Sequence, residues 1–237
     1  MGTLYLVSTP IGNLEDITQR AKRILGEVDL IACEDTRKTG FLLKKLGIPK
    51  KELLSYYEEN ELARIPLIME KLKQEKNIAL VSNAGTPTVS DPGFKLVRET
   101  LQAGIKIEAV PGASAALTAL VASGLPTDKF LFLGFLPKKE GKRKKMLQSL
   151  PSKTTLIFFE SPFRLIKTLR EIEATFGDIE IVIGRELTKL HEEIRREKIS
   201  QALAHFAKNK PRGELTLLIR IPPKLTHHPE AGPVLSL

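Results

Sequence analysis

Two acidic residues and an arginine stand close together near the start of the chain. The tetrad Glu34-Asp35-Thr36-Arg37 directly follows the apolar run 30–33, which has the length and composition of a buried strand. A carboxylate can accept a proton from a hydroxyl group, and a guanidinium can hold an anion. Glu34, Asp35 and Arg37 are therefore candidate catalytic residues. The competing interpretation is that Asp35 or Thr36 only caps the following helix, because both residue types are common N-caps.

A second pair of this kind, Glu160 and Arg164, follows the predicted strand 155–159 and is a candidate for the same task. The four histidines show no ligand spacing with one another or with the single Cys33, which ends an apolar run and is predicted to be a core thiol. We therefore expect no metal. Neither a serine nucleophile elbow nor a glycine-rich dinucleotide or triphosphate motif occurs. What remains is a set of small-residue loops at the ends of predicted strands.

The longest of these loops, residues 82–93, separates the apolar run 78–81 from a predicted helix with Asp91 as its N-cap and Pro92 at its first position. Its side chains are small and mostly polar, so it offers mainly backbone groups to a ligand. Ligands of open α/β sheets bind at such strand ends, and a loop of this length is rarely only a crossover. We therefore interpret it as a binding loop for a small molecule. The segment 111–114 precedes another predicted helix and permits close approach of a ligand, although a plain helix cap explains it equally well.

Composition and periodicity predict two α/β domains. The chain has 237 residues, with 42% hydrophobic and 27% charged residues, which is ordinary for a globular protein of two domains. Short apolar runs alternate with helical patterns in both halves, and this alternation is typical of α/β folds. We assign residues 1–118 to an N-terminal domain, 119–221 to a C-terminal domain and 222–237 to a tail without a core pattern. The turn at 124–127 is the alternative place for the boundary.

The positive charge of the chain is concentrated in its second half. Residues 1–115 carry 16 Lys and Arg against 15 Asp and Glu, whereas residues 116–237 carry 21 against 13. Six of these cations lie in the eight residues 138–145. Such a concentration suggests a polyanionic partner, although a solvated charge run is the common explanation of a segment like this one.

The sequence also favours a particular compartment. No run approaches 18 apolar residues, so we expect no membrane partner. The chain begins directly with a predicted strand rather than with a charged leader, and one cysteine cannot form an internal disulfide. The expected location is cytoplasmic.

Five segments together resemble one known family. They are 6–14, 33–37, 82–93, 110–114 and 159–164, and they occur in the expected order over nearly the whole chain. They are similar to the tetrapyrrole-methylase superfamily of S-adenosylmethionine (SAM) transferases, and within it to the enzymes that methylate small-subunit ribosomal RNA. The family's Gly-Asp-Pro loop falls on residues 84–87, where this chain has no aspartate.

The resemblance implies two α/β domains with SAM in the cleft between them, assembled as a homodimer. It implies 2′-O-methylation of a cytidine ribose in the decoding region of 16S rRNA within the small ribosomal subunit. By position, the cofactor-binding residues of the first domain would be Pro10, Asn83, Ala84, Gly85, Thr86, Asp91, Ala113, Ser114 and Ala115. Those of the second domain would be Phe159, Leu187 and Thr216.

The position of the charged residues after strand ends, where they would face this cleft, suggests roles for them in the reaction. Arg37 would orient a phosphate of the target nucleotide, Asp35 or Glu34 would accept the ribose proton, and Glu160 and Arg164 would assist. Aromatic residues make up 5% of the chain and Trp is absent, so base stacking is not expected to dominate RNA recognition. The residues expected to contact RNA phosphates are Lys138, Lys139, Lys142, Arg143, Lys144, Lys145 and Arg164.

Two alternatives stay open at this point. A SAM-dependent methylase of a small tetrapyrrole would explain the small-residue loops but not the basic segment 138–145. A non-catalytic RNA-binding protein would explain the basic segment but not the loops.

Overall fold

A computed structural model describes residues 1–221, so the predicted tail 222–237 lies outside the described residues. Its first sheet is parallel throughout and has the strand order β3-β2-β4-β1-β5. The strands are β1 (Thr3–Val7), β2 (Leu30–Cys33), β3 (Glu52–Ser55), β4 (Ile78–Val81) and β5 (Lys106–Val110). All five strands therefore end at the same edge of the sheet, where the loops that follow them meet.

Helices cover both faces of this sheet. One face packs against α1 (Gln19–Glu27) and α2 (Thr36–Lys45), and the other against α3 (Glu61–Lys73) and α4 (Phe94–Gln102). Successive residues of the central strands point alternately into the two cores, as the pleat of a strand requires. Cys33 is buried in the first of these cores, which confirms the prediction of a core thiol.

The second sheet is mixed and has the order β6-β7-β10-β8-β9. Only β6 and β7 are parallel, whereas the other neighbours are antiparallel. Its strands are β6 (Phe130–Phe135), β7 (Thr155–Glu160), β8 (Glu180–Arg185), β9 (Glu193–Lys198) and β10 (Leu215–Arg220), and its further helices are α6 (Glu140–Gln148), α7 (Leu165–Phe176) and α8 (Ile199–Lys208). The predicted fold of two α/β domains is confirmed.

The helix α5 (Ala115–Ser123) follows the first sheet in the chain but packs on the second. Ala116, Ala119 and Leu120 are buried there against side chains of β7, β8 and β10. A boundary between residues 118 and 119 would divide this helix. We therefore propose that the change of domain lies in the turn 111–114, before α5.

The predicted start of α4 is wrong. Asp91 does not cap α4, because the loop continues to Gly93, which is the N-cap and has a φ of 132°. Asn13 likewise caps only a single 3-10 turn, and Thr18 caps α1. The helix α7 begins at Leu165, after the turn that contains Ser161 and Pro162. In all three places a polar loop extends beyond the first residue of a type common at helix starts.

Within residues 1–221, every helix is too short or too polar to cross a lipid bilayer.

Candidate functional site

Three loops at the carboxyl edge of the first sheet are tied together by hydrogen bonds. The Ser8 hydroxyl donates to the Thr86 hydroxyl over 3.0 Å, and Thr86 in turn donates to the Ala113 carbonyl over 3.4 Å. Thr9 and Gly85 exchange two backbone hydrogen bonds of 2.9 and 3.0 Å. The loops after β1, β4 and β5, which the sequence places far apart, therefore form one surface.

Gly85 has a structural task in this surface. Its φ of 78° lies in the left-handed region, which side chains rarely adopt, and its amide donates to Thr9. A Cβ at this position would lie 3.5 Å from the Ile11 side chain and 3.8 Å from the Ala113 carbonyl. The Gly85 amide is therefore used within the protein, and the contact of Gly85 with the cofactor stays a prediction.

The second domain closes this edge from the opposite side. Leu187 and Phe159 belong to the same buried cluster as Ile11, Ala113 and Ala115. Thr216 is directly opposite Phe159 in the antiparallel pair of β10 and β7, and it is buried. The predicted second-domain residues therefore lie where the two domains meet.

An ion-paired lysine from the second domain stands at the same boundary. Lys189 Nζ lies 2.9 Å from a Glu186 carboxylate oxygen and 2.8 Å from one of Glu214. Burial alone would lower the pKa of Lys189, but the hydrogen bonds to Glu214 and Glu186 outweigh burial and raise the pKa. The lysine is thus a firmly held cation. Sequence reasoning did not identify it, because its two partners come from different loops.

Lys189 and Glu214 line a cavity of about 270 Å³, here called the interdomain cavity. Its walls on the first domain come from the loops after β1 and β4 and from α2. They are formed by Pro10, Ile11, Gly12, Leu14, Lys38, Thr39, Leu42, Ser82, Asn83 and Ala84. Pro10, Asn83 and Ala84 of the predicted cofactor site thus lie in one wall.

Asn83 is the most informative residue of this wall. Among the described residues, its side-chain oxygen is one of three buried polar side-chain atoms without a hydrogen-bond partner. An unsatisfied buried acceptor is costly, by about 1–3 kcal/mol. A donor from a ligand would remove that cost. The N-terminus of α5 is also uncapped, since the Ser114 side chain makes no capping hydrogen bond.

Asn83 also borders a second cavity of about 610 Å³, here called the carboxylate cavity. Five of its lining residues are acidic, namely Glu34, Asp35, Glu58, Glu59 and Asp91, and the others are Thr36, Arg37, Ser55, Tyr57, Asn83, Ser90 and Pro92. The residues that follow β2 and β4 were predicted from the sequence. Those that follow β3 were not, because β3 itself was not predicted.

Asp35 caps α2, as the competing interpretation held. Its carboxylate accepts from the backbone N–H of Arg37 over 2.9 Å and of Lys38 over 3.4 Å. The Arg37 guanidinium also donates twice to it, over 3.2 and 3.0 Å. The Arg37 side chain, and then these amides, lower the pKa of Asp35 to about 2. Asp35 is therefore a weak proton acceptor.

Asp91 has the opposite electrostatic environment. Burial raises the pKa of Asp91, a hydrogen bond from Ser82 opposes the rise, and the Glu34 carboxylate adds to it. The loop around Asp91 is held in an unusual conformation, with positive φ at Thr88 (71°), Ser90 (65°) and Gly93 (132°). Such conformations persist only where the surroundings enforce them, and they cluster at functional sites.

Glu160 is not in a position to act on a substrate. It is 2% exposed and accepts from the Thr168 hydroxyl over 2.5 Å and from the Ser161 backbone over 2.7 Å. Arg164 lies 3.3 Å from it and also donates to the Leu136 carbonyl over 2.8 Å. The prediction of Glu160 as a catalytic residue is wrong, because its carboxylate is buried and fixes a turn. The phosphate contact of the partly exposed Arg164 stays a prediction.

Arg143 is likewise not a phosphate contact. Its side chain is 2% exposed, forms an ion pair with Glu171 and donates to the carbonyls of Pro137 and Lys138. The prediction is wrong for this residue, because α6 turns Arg143 inward beside Leu147. The lysines of the segment are exposed, namely Lys138, Lys139, Lys142, Lys144 and Lys145.

Comparison with known proteins places this arrangement in a family. The sequence model described as Tetrapyrrole (Corrin/Porphyrin) Methylases matches residues 3–203. The chain is 50% identical over 219 residues to Ribosomal RNA small subunit methyltransferase I of Thermotoga maritima, covering 92% of this chain and 98% of that protein. The chain belongs to the ribosomal RNA small subunit methyltransferase I family. The protein of that name from Haemophilus influenzae is 46% identical, over 98% of this chain and 83% of its own length.

Solved structures show the same fold at lower identity. Uroporphyrin-III C-methyl transferase from Thermus thermophilus, complexed with S-adenosyl homocysteine, superposes with a TM-score of 0.63 at 20% identity. The superposition covers 93% of this chain and 98% of the chain of that enzyme. Diphthine synthase gives a TM-score of 0.69 at 15% identity, covering 92% and 90%. As a member of its family, the chain is a SAM-dependent methyltransferase.

The interdomain region fits SAM. SAM carries hydrogen-bond donors on its amino acid, ribose and adenine parts, and the unpartnered oxygen of Asn83 is a buried acceptor. Its carboxylate suits the free N–H groups at the N-terminus of α5. The apolar cluster that contains Ile11, Leu187 and Phe159 offers a surface for its uncharged parts.

We expect Asn83→Leu to weaken SAM binding without destabilising the free protein. The variant has no unpaired side-chain oxygen at this position, so its free energy of unfolding should stay the same or increase. Bound SAM, in contrast, would lose a hydrogen bond worth about 0.5–1.5 kcal/mol. Isothermal titration calorimetry and urea unfolding measure the two effects. Gln102→Leu, a polar-to-apolar change at an exposed position at the end of α4, is the control. A variant with weaker folding and unchanged SAM affinity would contradict this role for Asn83.

Proposed function

We propose that this chain transfers a methyl group from SAM to the 2′-oxygen of a cytidine ribose in the decoding region of 16S rRNA. The observation that supports this most strongly is the near-complete match to small-subunit rRNA methyltransferases at 45–50% identity. The likeness to tetrapyrrole methylases of solved structure is about 20% identical and concerns the fold alone. The small-tetrapyrrole alternative is thus supported by the fold and by the broad family model, but not by the relatives of higher identity.

Three of the proposed cofactor residues line the interdomain cavity, and the others lie in or beside the apolar cluster at the domain boundary. Pro10, Asn83 and Ala84 would contact SAM from the first domain, and the amides at Ser114 and Ala115 would hold its carboxylate. Phe159 and Leu187 would cover its apolar parts from the second domain. Gly85, Thr86 and Ala113 keep the loops in place through the hydrogen bonds described above.

Bound SAM supplies a methyl group on a positively charged sulfur. Transfer of this methyl group is favoured because the sulfur becomes neutral when the carbon–sulfur bond breaks. The protein must bring the ribose oxygen into line with that methyl group and hold it at near-attack distance. A ribose hydroxyl is a poor nucleophile at neutral pH, so a positioned carboxylate assists by accepting its proton. We assign this task to Asp91 rather than to Asp35, because Asp91 combines cavity access with a raised pKa.

The other groups of the carboxylate cavity suit a cytidine. Cytosine presents an amino donor at N4, and carboxylates such as Glu58 and Glu59 accept from such a group. The Arg37 side chain is 90% exposed and can contact a phosphate beside the cavity while it remains paired with Asp35. The negative charge of Glu34 would further favour transfer of the ribose proton to Asp91.

Mass spectrometry of nucleosides tests the proposed reaction. Purified small subunits from a strain that lacks the gene are incubated with this protein and isotopically labelled SAM, and the 16S rRNA is then digested. We expect label in 2′-O-methylcytidine from one site. Label in a base-methylated nucleoside, or none in any nucleoside, would contradict the proposal.

We expect the exposed lysines near the start of α6 to bind phosphates. Replacing Lys138, Lys139 and Lys142 by glutamine should raise the Michaelis constant for the ribosomal substrate. It should also reduce the slope of log affinity against log salt by about one unit for each lost contact. SAM affinity should not change. Filter binding at several salt concentrations measures the slope.

The matched control replaces Lys71, Lys73 and Lys76, which lie at the C-terminal end of α3 and beyond it. That end of α3 faces the amino edge of the first sheet, so this triple variant should leave the salt slope unchanged. Equal slopes for the two triple variants would show that residues 138–142 are only a solvated charge run.

We also propose a homodimer located in the cytoplasm, where ribosomal subunits are assembled. Leu117 and Val121 lie one turn apart on the solvent side of α5 and are 50% and 77% exposed. Apolar side chains in such an arrangement suit a subunit contact. Analytical ultracentrifugation of the wild type and of Val121→Glu tests the assembly.

A further inference from the structure

Phe163 is the most exposed large aromatic side chain among residues 1–221. It is 90% exposed, whereas Phe94, Phe41 and Phe135 are 68%, 63% and 56% exposed. An isolated exposed apolar residue needs no explanation. Phe163 differs because the protein uses several buried polar groups to hold the turn on which it stands.

Residues 160–164 form a rigid turn. The buried Glu160 carboxylate accepts from the Ser161 backbone N–H over 2.7 Å, and the Phe163 N–H donates to the Ser161 hydroxyl over 3.3 Å. The Arg164 N–H donates to the Ser161 carbonyl over 2.9 Å, and its guanidinium lies against Glu160. The backbone of Phe163 is thus fixed on both sides, so its ring is presented to solvent at little further cost in conformational entropy.

The turn adjoins the wall of the carboxylate cavity through β6. Arg164 donates to the Leu136 carbonyl over 2.8 Å, which places the turn against the end of β6. Two residues before Leu136, a Cβ on Gly134 would lie 2.8 Å from the hydroxyl of Ser90. Ser90 lines the carboxylate cavity. The turn that carries Phe163 is therefore connected to this cavity through the end of β6.

Cations follow the end of β6. The exposed Lys138, Lys139 and Lys142 begin directly after Leu136-Pro137, the segment to which Arg164 is bound. An aromatic ring beside a row of lysines is the combination that single-stranded nucleic acid requires, because bases stack on the ring and phosphates pair with the cations. The neighbouring lysines favour a polyanion over an apolar protein surface as the partner of this ring.

We propose that Phe163 stacks on an unpaired base of the RNA that neighbours the target nucleotide, and that the Glu160–Arg164 network serves to position it. This inference rests on the proposed function. It gives a role to the turn 160–164, from which Glu160 and Arg164 were predicted to assist catalysis. It also gives aromatic stacking a larger share in RNA recognition than the composition of the chain predicts.

Steady-state methylation of small subunits tests the proposal. Phe163→Ala should raise the Michaelis constant for the ribosomal substrate by roughly 5- to 150-fold, the effect of losing one stacked base. SAM affinity, thermal stability and the sedimentation coefficient should match those of the wild type. Phe163→Trp should restore the wild-type Michaelis constant, and Phe163→Leu, which is apolar but cannot stack, should not.

Phe41→Ala is the matched control, because Phe41 is similarly exposed on α2 of the first domain, with Lys45 over its ring. Wild-type kinetics for Phe163→Ala, or full activity of Phe163→Leu, would overturn the proposal. A change in sedimentation would overturn it too, because Phe163 would then be a subunit contact. Failure of the wild type itself to methylate the subunit would instead contradict the proposed function.

Discussion

Asp91→Asn is expected to lower the rate of single-turnover methyl transfer by roughly 10²–10⁴-fold, the usual contribution of a positioned general base. The amide keeps the size and hydrogen-bonding capacity of the side chain but cannot accept the ribose proton. SAM affinity and stability should change little, because Asp91 borders the carboxylate cavity rather than the interdomain cavity. Rapid-quench measurements with saturating SAM and substrate isolate the chemical step.

The pH dependence of the same step gives a second readout. A base must be unprotonated to act, so the rate of the wild type should fall as the pH drops through the raised pKa of Asp91. The charged groups that share its cavity are Glu34, Asp35, Arg37, Glu58 and Glu59. Asp91→Asn should remove this fall, while Arg37→Ala should retain it.

Asp35→Asn is the matched control for this variant. Its amide oxygen can still cap α2, and a carboxyl with a pKa of about 2 is a poor base, so its rate should stay within about tenfold of the wild type. If Asp91→Asn instead weakened SAM binding and left the rate of methyl transfer to bound substrate unchanged, Asp91 would be a cofactor contact, as the sequence predicted. A large loss of rate in Asp35→Asn alone would return the catalytic role to the residues after β2.

Arg143→Ala is expected to destabilise the second domain by about 3–5 kcal/mol, because it leaves Glu171 without its partner in a mostly buried ion pair. Two carbonyl groups, those of Pro137 and Lys138, also lose their donor. Urea unfolding followed by circular dichroism measures the loss. The expectation derived from the sequence was different, namely weaker RNA binding with normal folding.

Lys144→Ala is the control, since this neighbouring cation is exposed. It should change the free energy of unfolding by no more than about 0.5 kcal/mol. Equal stabilities of the two variants would contradict the structural role of Arg143. Arg143→Lys should be intermediate, because an ammonium group cannot donate to the carboxylate and both carbonyls in the fork geometry of a guanidinium.

The sequence predicts most strands and fails at two of them for the same physical reason. Central strands such as β2 and β4 are buried on both faces and appear as uninterrupted apolar runs. Both β3 and β9 lie at the edge of a sheet, and β9 has the sequence Glu-Ile-Arg-Arg-Glu-Lys. A strand with partners on one side needs few apolar residues. Missing β3 also concealed Glu58 and Glu59 in the carboxylate cavity.

The site was predicted where it depends on loop composition and missed where it depends on partners distant in sequence. Small residues after β1, β4 and β5 indicated where a ligand binds, and the structure brings those loops together. Arg143 was misassigned because its partner Glu171 is 28 residues away. A local pattern also indicated that Arg143 is buried. Arg143 and the apolar Leu147 are four residues apart, which places both side chains on the inner face of α6. Glu160 was misassigned because a carboxylate after a strand can fix a turn as well as perform chemistry.

The turn 111–114 is the one covalent crossing between the two domains within the described residues, and it is held tightly. A Cβ on Gly112 would lie 2.8 Å from Ser8 Cβ, and the Ala113 carbonyl is bound to Thr86. Beyond it, α5 is packed on the second sheet. We therefore expect the gap between the domains to be set during folding, so that SAM would enter a preorganised cleft. Little of its binding free energy is then spent on immobilising the domains, and more remains to hold the methyl group in place.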